Sequence, residues 1–526
     1  MPEAAQRRVH GAPQPDRTAR VLARRGGLCH APGMTDTTSA PEAGPAVEPD
    51  LQIETTGIEI VTPDKRTAKP RDLFWPWFAA NVSVFGISYA SYVYGFGVSL
   101  GQALLVTVVG ITLSFLTCGV VAIAGKRGSA PTMILSRASF GVTGQKVPGV
   151  FSYLISMGWE TFLAIMAVLA TATVVTKLGG DGGTATKIIA MVVVAALIVA
   201  GSVAGYHLIM KLQSVLTWVT GAVTIAYIVL TIGQIDLGTA AQMPSGSAQA
   251  MIGALVMVLT GFGLGWVNIA ADWSRYQRRD ASSGAIVFWN TFGGAIAPIL
   301  LVVYGLALIG TRPDLMDGIA LDPIGTLADL LPTWFLVPFL VAAVLALVSG
   351  AILGIYSSGL TLLSLGLKVK RPVAAGIDGA ILTIGAVWVV FFAESFLGPF
   401  QSFLITLGVP IAAWAGITMA DVVLRRRDYD DAALFDGSGR YGRWNPTVIV
   451  LMALASVVGW GLVINSFAEE AAWNNWQGYL LGPLGLGGRD GDWAWANLGV
   501  LFALLIGFVG YLLLQRGAVR RQETDA

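Results

Sequence analysis

Between Lys146 and Lys177 the chain carries a single charged side chain, Glu160, set between Trp159 and Thr161 in an otherwise uncharged run. A carboxylate at the middle of a hydrocarbon layer costs several kcal/mol, so it is expected to face a cavity or a partner. Kept from bulk water, such a group can hold and release a proton near neutral pH, or accept hydrogen bonds from the ring N–H groups of a base. The plainer alternative is a structural carboxylic acid bonded to a neighbouring helix. Trp159, Phe262 and Trp266 add flat faces, and a heteroaromatic ring gains about 1–3 kcal/mol by stacking on such a face. Most of the 16 tryptophans fit the ends of apolar runs, where they anchor at an interface. Trp159 does not, because it lies mid-run. Phe262 and Trp266 stand equal as the second face of a ring clamp.

These side chains sit in a chain of 526 residues that is 55% hydrophobic and 12% charged. A soluble chain carries roughly 25% charged residues. A helical crossing of the hydrocarbon needs about 20 consecutive apolar residues, and twelve such runs occur: 74–98, 100–124, 147–176, 186–205, 208–233, 250–270, 284–310, 333–364, 373–397, 399–424, 446–467 and 494–515. We number them spans one to twelve. The gaps after spans two, four, six, eight and ten, with the C-terminal tail, hold 19 Lys and Arg; the other gaps hold four, Lys177, Lys187, Arg312 and Arg489. Basic side chains resist translocation and mark the inner loops. The expected protein is therefore all-α and polytopic, in the cell membrane, with both ends cytoplasmic. The gap between spans seven and eight is instead acidic, with Asp314, Asp317, Asp322 and Asp329, and a short helix is expected over Pro323–Thr333.

Residues 1–72 are polar, without an apolar period, and are expected to form a disordered tail. Met34 opens a more acidic composition after an Arg-rich stretch, so residues 1–33 read as an over-extended reading frame or a transit peptide. A net charge of +1 argues against a nucleic-acid partner. Cys29 and Cys118 fall in a polar tail and an apolar span, so no disulfide framework is expected. His207 stands alone at a helix start, and the spans contain no His-rich, Cys-rich or paired-acid cluster. An enzyme is accordingly not expected, nor any metal or cofactor beyond a co-transported proton or sodium.

Two spans are interrupted. Span one contains Asn81-Val82-Ser83-Val84-Phe85-Gly86, and span six has three glycines in Gly261-Phe262-Gly263-Leu264-Gly265. Glycine weakens a helix by about 1 kcal/mol relative to Ala, and unpaired backbone is tolerated in a membrane only where it lines a cavity or is buried in protein. Breaks five spans apart point to an inverted-repeat carrier with its site at the midplane. A channel would need a continuous polar lining, which these spans lack.

Several segments resemble the nucleobase–cation symporter family, particularly its purine–cytosine permease branch. They are Trp77-Phe78-Ala79-Ala80-Asn81, Ser129 to Gly141 in the first inner loop, Gly158-Trp159, Gly265-Trp266 through Ala270-Ala271-Asp272-Trp273-Ser274-Arg275-Tyr276, and Tyr356-Ser357-Ser358-Gly359-Leu360. The resemblance implies a leucine-transporter-like fold: repeats over 73–235 and 248–425 with spans one and six unwound, two peripheral helices over 426–515, and a tail over 516–526. It also implies a cation-coupled importer of cytosine or a purine, with a ring held between Trp159 and a span-six aromatic, Phe262 or Trp266, near Gly263. Allantoin, a hydantoin or a vitamin heterocycle are the alternative cargoes on the same fold. Span eight departs from the family pattern. An Asn-Asn pair follows a serine there in purine–cytosine permeases, whereas this chain reads Ser349-Gly350-Ala351-Ile352-Leu353-Gly354. The amide usual four residues after the span-three tryptophan is Leu163 here. A hard cation needs several oxygen ligands, and Ser83, Ser349 and span-one carbonyls form a thin set for sodium. Proton coupling through Glu160 is preferred, and Asp272 with Arg275 is expected to form an ion-paired inner gate.

Overall fold

The computed structural model describes Glu54 and residues 56–393, 397–465 and 476–524. Its elements are helical, joined by turns, with one isolated bridge pairing Ala68 and Gln277. Among the described residues, ten helices are long and apolar enough to cross a membrane. Span eleven, Pro446–Gly461, is shorter, and span one is divided into Phe74–Asn81 and Phe85–Tyr94, each too short to cross alone. In the acidic gap, Pro323–Ala328 is helical and follows a second short helix, Leu315–Leu321.

Span two (Leu100–Gly128) lies on span seven (Ser283–Thr311) and along span six, span one lies along span seven, span three (Lys146–Lys177) lies on span eight (Leu336–Ser364), and span four (Thr184–Ala204) on span nine (Arg371–Phe392). Helices of the first five spans thus pack directly on helices of the second five. Span ten (Leu397–Leu424) packs on span twelve (Gly499–Thr524), which with span eleven forms the periphery.

The two breaks form where the glycines and Ser83 fall. Span six runs as Ala248–Gly261, leaves the helix at Phe262, and resumes through a turn at Gly263–Trp266 before Ala270–Ser274. Span two satisfies the freed backbone: the Leu264 amide donates to the Ser114 hydroxyl (2.7 Å), which donates to the Leu259 carbonyl (2.6 Å). The Cys118 thiol reaches the Gly263 carbonyl at 2.8 Å. Gly263 must stay small, since a β-carbon there would lie 2.4 Å from the Ser114 carbonyl carbon. At span one the Phe85 amide, at the start of the second half-helix, donates to the Ser83 hydroxyl (3.3 Å).

The basic loops interlock on one face. Lys126 donates to the Ala281 carbonyl (2.9 Å), Arg127 to the Val422 and Arg425 carbonyls (both 2.9 Å), and Arg279 pairs with Asp431. The acidic loop lies with the opposite helix ends, where Thr173 donates to Asp322 (2.6 Å) and Lys177 pairs with Asp329. We call these faces the basic side and the acidic side.

Both expected tails need correction. Residues 56–72 are ordered on the basic side, where the Val61 amide donates to the Ser129 carbonyl (2.8 Å) and Ala68 pairs with Gln277. The segment follows the shape of the loops it covers, so its contacts leave no helical period. Residues 516–524 continue the span-twelve helix rather than trailing from it, and Gln522 accepts from Arg425 at 2.6 Å. The expected disorder of residues 1–53 and 55 lies outside the described residues.

Candidate substrate-binding site

Spans three, six and eight meet at a narrow cleft beside the span-six break. Ser156, Trp159, Glu160 and Leu163 come from span three, Gly265, Trp266, Asn268 and Ile269 from span six, and Gly350 and Gly354 from span eight. Its free volume of about 20 Å³ accommodates about one water. Above it a vestibule of about 370 Å³ opens toward the acidic side between Phe85, Tyr89, Thr260, Met316, Asp317, Phe400 and Gln401. Trp159 borders both spaces. Its ring meets Phe162 and Phe400 edge-on, at centroid distances of 5.7 and 5.3 Å.

Gly265 lets the span-six backbone approach the Trp159 indole, whose nitrogen lies 3.4 Å from where a β-carbon would sit. Trp266 crosses span one, its ring 6.2 Å from Trp77 in an edge-to-face arrangement. Phe262 does not line the cleft. It is buried against Tyr89 at 4.5 Å, because the break turns its side chain toward span one. Of the two span-six aromatics, the structure therefore puts Trp266 with Trp159.

Glu160 is 1% exposed, and its Oε2 accepts from the Ser358 hydroxyl at 3.3 Å. Its Oε1 has no hydrogen-bond partner among the described residues. The carboxylate fills the space that a side chain at 354 would need: a β-carbon on Gly354 would fall 2.6 Å from Glu160 Cγ and 2.8 Å from Oε1. A polar group absent from span eight is thus supplied by span three. Asn268, also in the cleft, is oriented by the hydroxyls of Ser152 (2.9 Å) and Ser156 (3.1 Å), to which its amide donates.

Ser83 and Ser349 stand apart from this cleft. Ser83 accepts from the Phe85 amide as described, and Ser349 donates its hydroxyl hydrogen to Gln213 Oε1 at 2.5 Å, while Gln213 Nε2 donates to the Ser349 carbonyl at 3.1 Å. The serine is committed to joining spans five and eight.

The expected pairing of Asp272 with Arg275 is corrected by the structure. Asp272 accepts from the backbone amide and hydroxyl of Thr132 (2.7 and 2.8 Å), fastening the first basic loop to span six. Arg275 lies with Glu54 of the N-terminal segment, at 3.7 Å, and donates to the Gly57 carbonyl (2.7 Å) and Tyr356 hydroxyl (2.9 Å). Tyr276 donates to Glu54 Oε1 at 2.5 Å, and Tyr356 to Oε2 at 3.3 Å. Residues three apart share a helix face, but Asp272 is held by Thr132 and Arg275 by Glu54 and Gly57, so the two side chains serve different neighbours. The basic side of the cleft is sealed by this knot, while the acidic side is open. Glu54→Ala is expected to loosen the seal. A cysteine placed at Asn268 should then react several-fold faster with an impermeant thiol reagent applied from the basic side; an unchanged rate would show that the seal does not depend on Glu54.

Sequence reasoning missed Asn268, Ser358, Asp378, Glu54 and the Gly354–Glu160 fit. Asp378 carried a usable signal, a carboxylate within the apolar span nine at Gly376-Ile377-Asp378-Gly379. Glu54 carried none, since nothing in a polar tail announces where it docks.

Two broken helices, a cleft beside the span-six break bounded by the third and eighth spans, and a vestibule leading to one side define a secondary carrier of the inverted-repeat class. The family described as permease for cytosine/purines, uracil, thiamine, allantoin matches residues 60–482, and the chain belongs to it. It is a multi-pass membrane transporter of the nucleobase–cation symporter class, in the purine–cytosine permease branch, and not an enzyme. A Bacillus subtilis protein named as a purine-cytosine permease, YxlA, is 22% identical over 475 residues, covering 90% of this chain and 98% of its own length. The purine-cytosine permease fcyB of Emericella nidulans is 28% identical over 271 residues, 49% of this chain and 50% of that protein. Among solved structures, Mhp1, a nucleobase-cation-symport-1 family transporter in a closed conformation with bromovinylhydantoin bound, shares the fold. Its TM-score is 0.66 at 17% identity, over 89% of this chain and 97% of that one.

Proposed function

We propose that this permease imports a nucleobase, such as cytosine or a purine, together with a proton, exposing the cleft alternately to the two sides of the cell membrane. The basic side is cytoplasmic in this reading, with both chain ends there. One observation carries it: Trp159, Trp266 and Glu160 converge on a single cleft at the floor of a vestibule, beside a helix break. A flat ring enters from the acidic side, reaches Trp159 and parts Trp159 from Trp266, with a ring N–H turned to Glu160. Closure of the vestibule and release of the Glu54–Arg275 knot then open the opposite path. Proton coupling is favoured over sodium because Glu160 offers a buried carboxyl group in the cleft, whereas Ser83 and Ser349 lie outside its lining.

The glycines at 350 and 354 favour a second reading of the cargo. Without amides on span eight the Watson–Crick edge of a base has fewer partners, and allantoin, a hydantoin or a vitamin heterocycle fits the same stacking faces. A thermal-shift panel of cytosine, adenine, uracil, allantoin, hydantoin and thiamine on the purified protein separates the two. A stabilising shift with a nucleobase alone supports the first reading, and one with allantoin, hydantoin or thiamine supports the second. No shift with any of the six would reject both. For each hit, uptake into vesicles should collapse with a protonophore and persist without sodium.

A further inference from the structure

Glu160 is not the only acid buried in this bundle. Asp378 of span nine is fully buried 20 positions beyond Ser358, and it accepts from the Ser358 hydroxyl at 2.8 Å and from the Tyr153 hydroxyl at 2.7 Å. Ser358 thus lies between two carboxyl groups, 2.8 Å from Asp378 and 3.3 Å from Glu160. It has one hydrogen and can donate to one of them at a time. The other contact is a hydrogen bond only if that second carboxyl carries a proton and donates it to the serine oxygen. Tyr153 donates from the far side of Asp378, so it cannot supply the missing hydrogen to Glu160.

No cation balances the pair among the described residues. Arg371, on the same span as Asp378, is spent on the Ser202 and Val203 carbonyls (2.9 and 2.6 Å), the Glu54 carbonyl (3.1 Å) and the Tyr356 ring. Span three contributes Tyr153 and Glu160, span nine Asp378, and span eight only the neutral Ser358. Two carboxylates this close, without a counter-charge, do not both ionise. The arrangement is complete with one shared proton.

We propose that Asp378, Ser358 and Glu160 form a proton relay running from the substrate cleft toward the basic side. The direction follows from depth. At 1.5 Å per residue, Glu160 lies about 21 Å along span three from Lys146, whereas Tyr153 lies about 10 Å from it and Asp378 about 10 Å from Arg371. With the shared proton on Glu160 Oε2, uptake of a second proton at Oε1, the oxygen with no partner among the described residues, lets the Oε2 proton pass to the serine oxygen as the serine hydrogen moves to the ionised Asp378. An O–H bond forms at Oε1 and one breaks at Oε2, one breaks and one forms at the serine oxygen, and one forms at Asp378, so both acids end neutral and the serine is unchanged. Spans three, eight and nine all pack on one another, so the three groups travel as one body. The relay rests on the proton coupling of the proposed function, but its chemistry is visible without any substrate.

The test is infrared difference spectroscopy of the carboxylic C=O stretch on the purified full-length protein, across a pH series and with no substrate present. The wild type is expected to show one shared carboxylic band that is lost at high pH. Asp378→Asn should shift the band of Glu160 and change the pH at which it disappears, and Glu160→Gln should do the same to Asp378. Ser358→Ala, which removes only a hydroxyl, should uncouple the two, and Ser358→Thr should restore the wild-type spectrum. An unchanged Glu160 band in both Asp378→Asn and Ser358→Ala overturns the relay, as does a wild type with both acids ionised throughout. If Asp378→Asn fails to fold, the serine variants decide. Absence of cytosine uptake would count against the proposed function while leaving these spectra as they are.

Discussion

Trp159→Ala is expected to weaken binding of the panel ligand roughly 5- to 150-fold, the loss of one stacking face worth about 1–3 kcal/mol. The variant should fold, because the indole is only half-buried and borders empty space on two sides. Trp159→Phe should recover part of the affinity, since a smaller ring keeps a flat face. Phe262→Ala serves as the contrast: its ring packs on Tyr89 outside the cleft, so affinity should stay within about twofold in a variant that loses only core packing. Isothermal titration on the four proteins reads all of this. Equal affinity in wild type and Trp159→Ala would remove the ring clamp from the account.

Glu160→Gln is expected to separate exchange from accumulation. The amide keeps an acceptor oxygen for a ring N–H and keeps the volume against Gly354, but it cannot take up a proton. With one proton per substrate, each pH unit across the vesicle membrane corresponds to 1.36 kcal/mol, about a tenfold concentration ratio. The wild type should therefore accumulate substrate about tenfold per pH unit, acid on the acidic side, and the variant should only equilibrate it. Counterflow exchange, which needs no net proton movement, should survive in the variant. Undiminished accumulation in Glu160→Gln would return the coupling role to sodium.

Much of the fold could be read from the chain because hydrocarbon imposes simple demands. Long apolar runs, basic residues in alternate gaps and glycines at two breaks each follow from burying backbone in lipid, and each needs only local sequence. Trp159 and Glu160 were legible for the same reason, as residues out of place at mid-span. What escaped depends on neighbours distant in the chain. Asp272 and Arg275 look like a pair three residues apart, yet one holds Thr132 and the other meets Glu54, some 220 residues away. Ser349 reads as a cleft residue, yet it lies outside the cleft lining, donating to Gln213 of span five. The choice between Phe262 and Trp266 turned on backbone torsion at Phe262, which leaves the helical region at φ −115, ψ −120.

The fit of Gly354 against the Glu160 carboxylate couples the two positions, so that neither can be changed alone without cost. An asparagine placed at 354 would collide with the acid already occupying that volume. The reverse exchange, trimming the acid while leaving glycine, would open a hole in which the Ser358 hydroxyl loses its Glu160 acceptor. A conversion of selectivity at this site must therefore swap both letters in one step, and single-substitution libraries would pass over it.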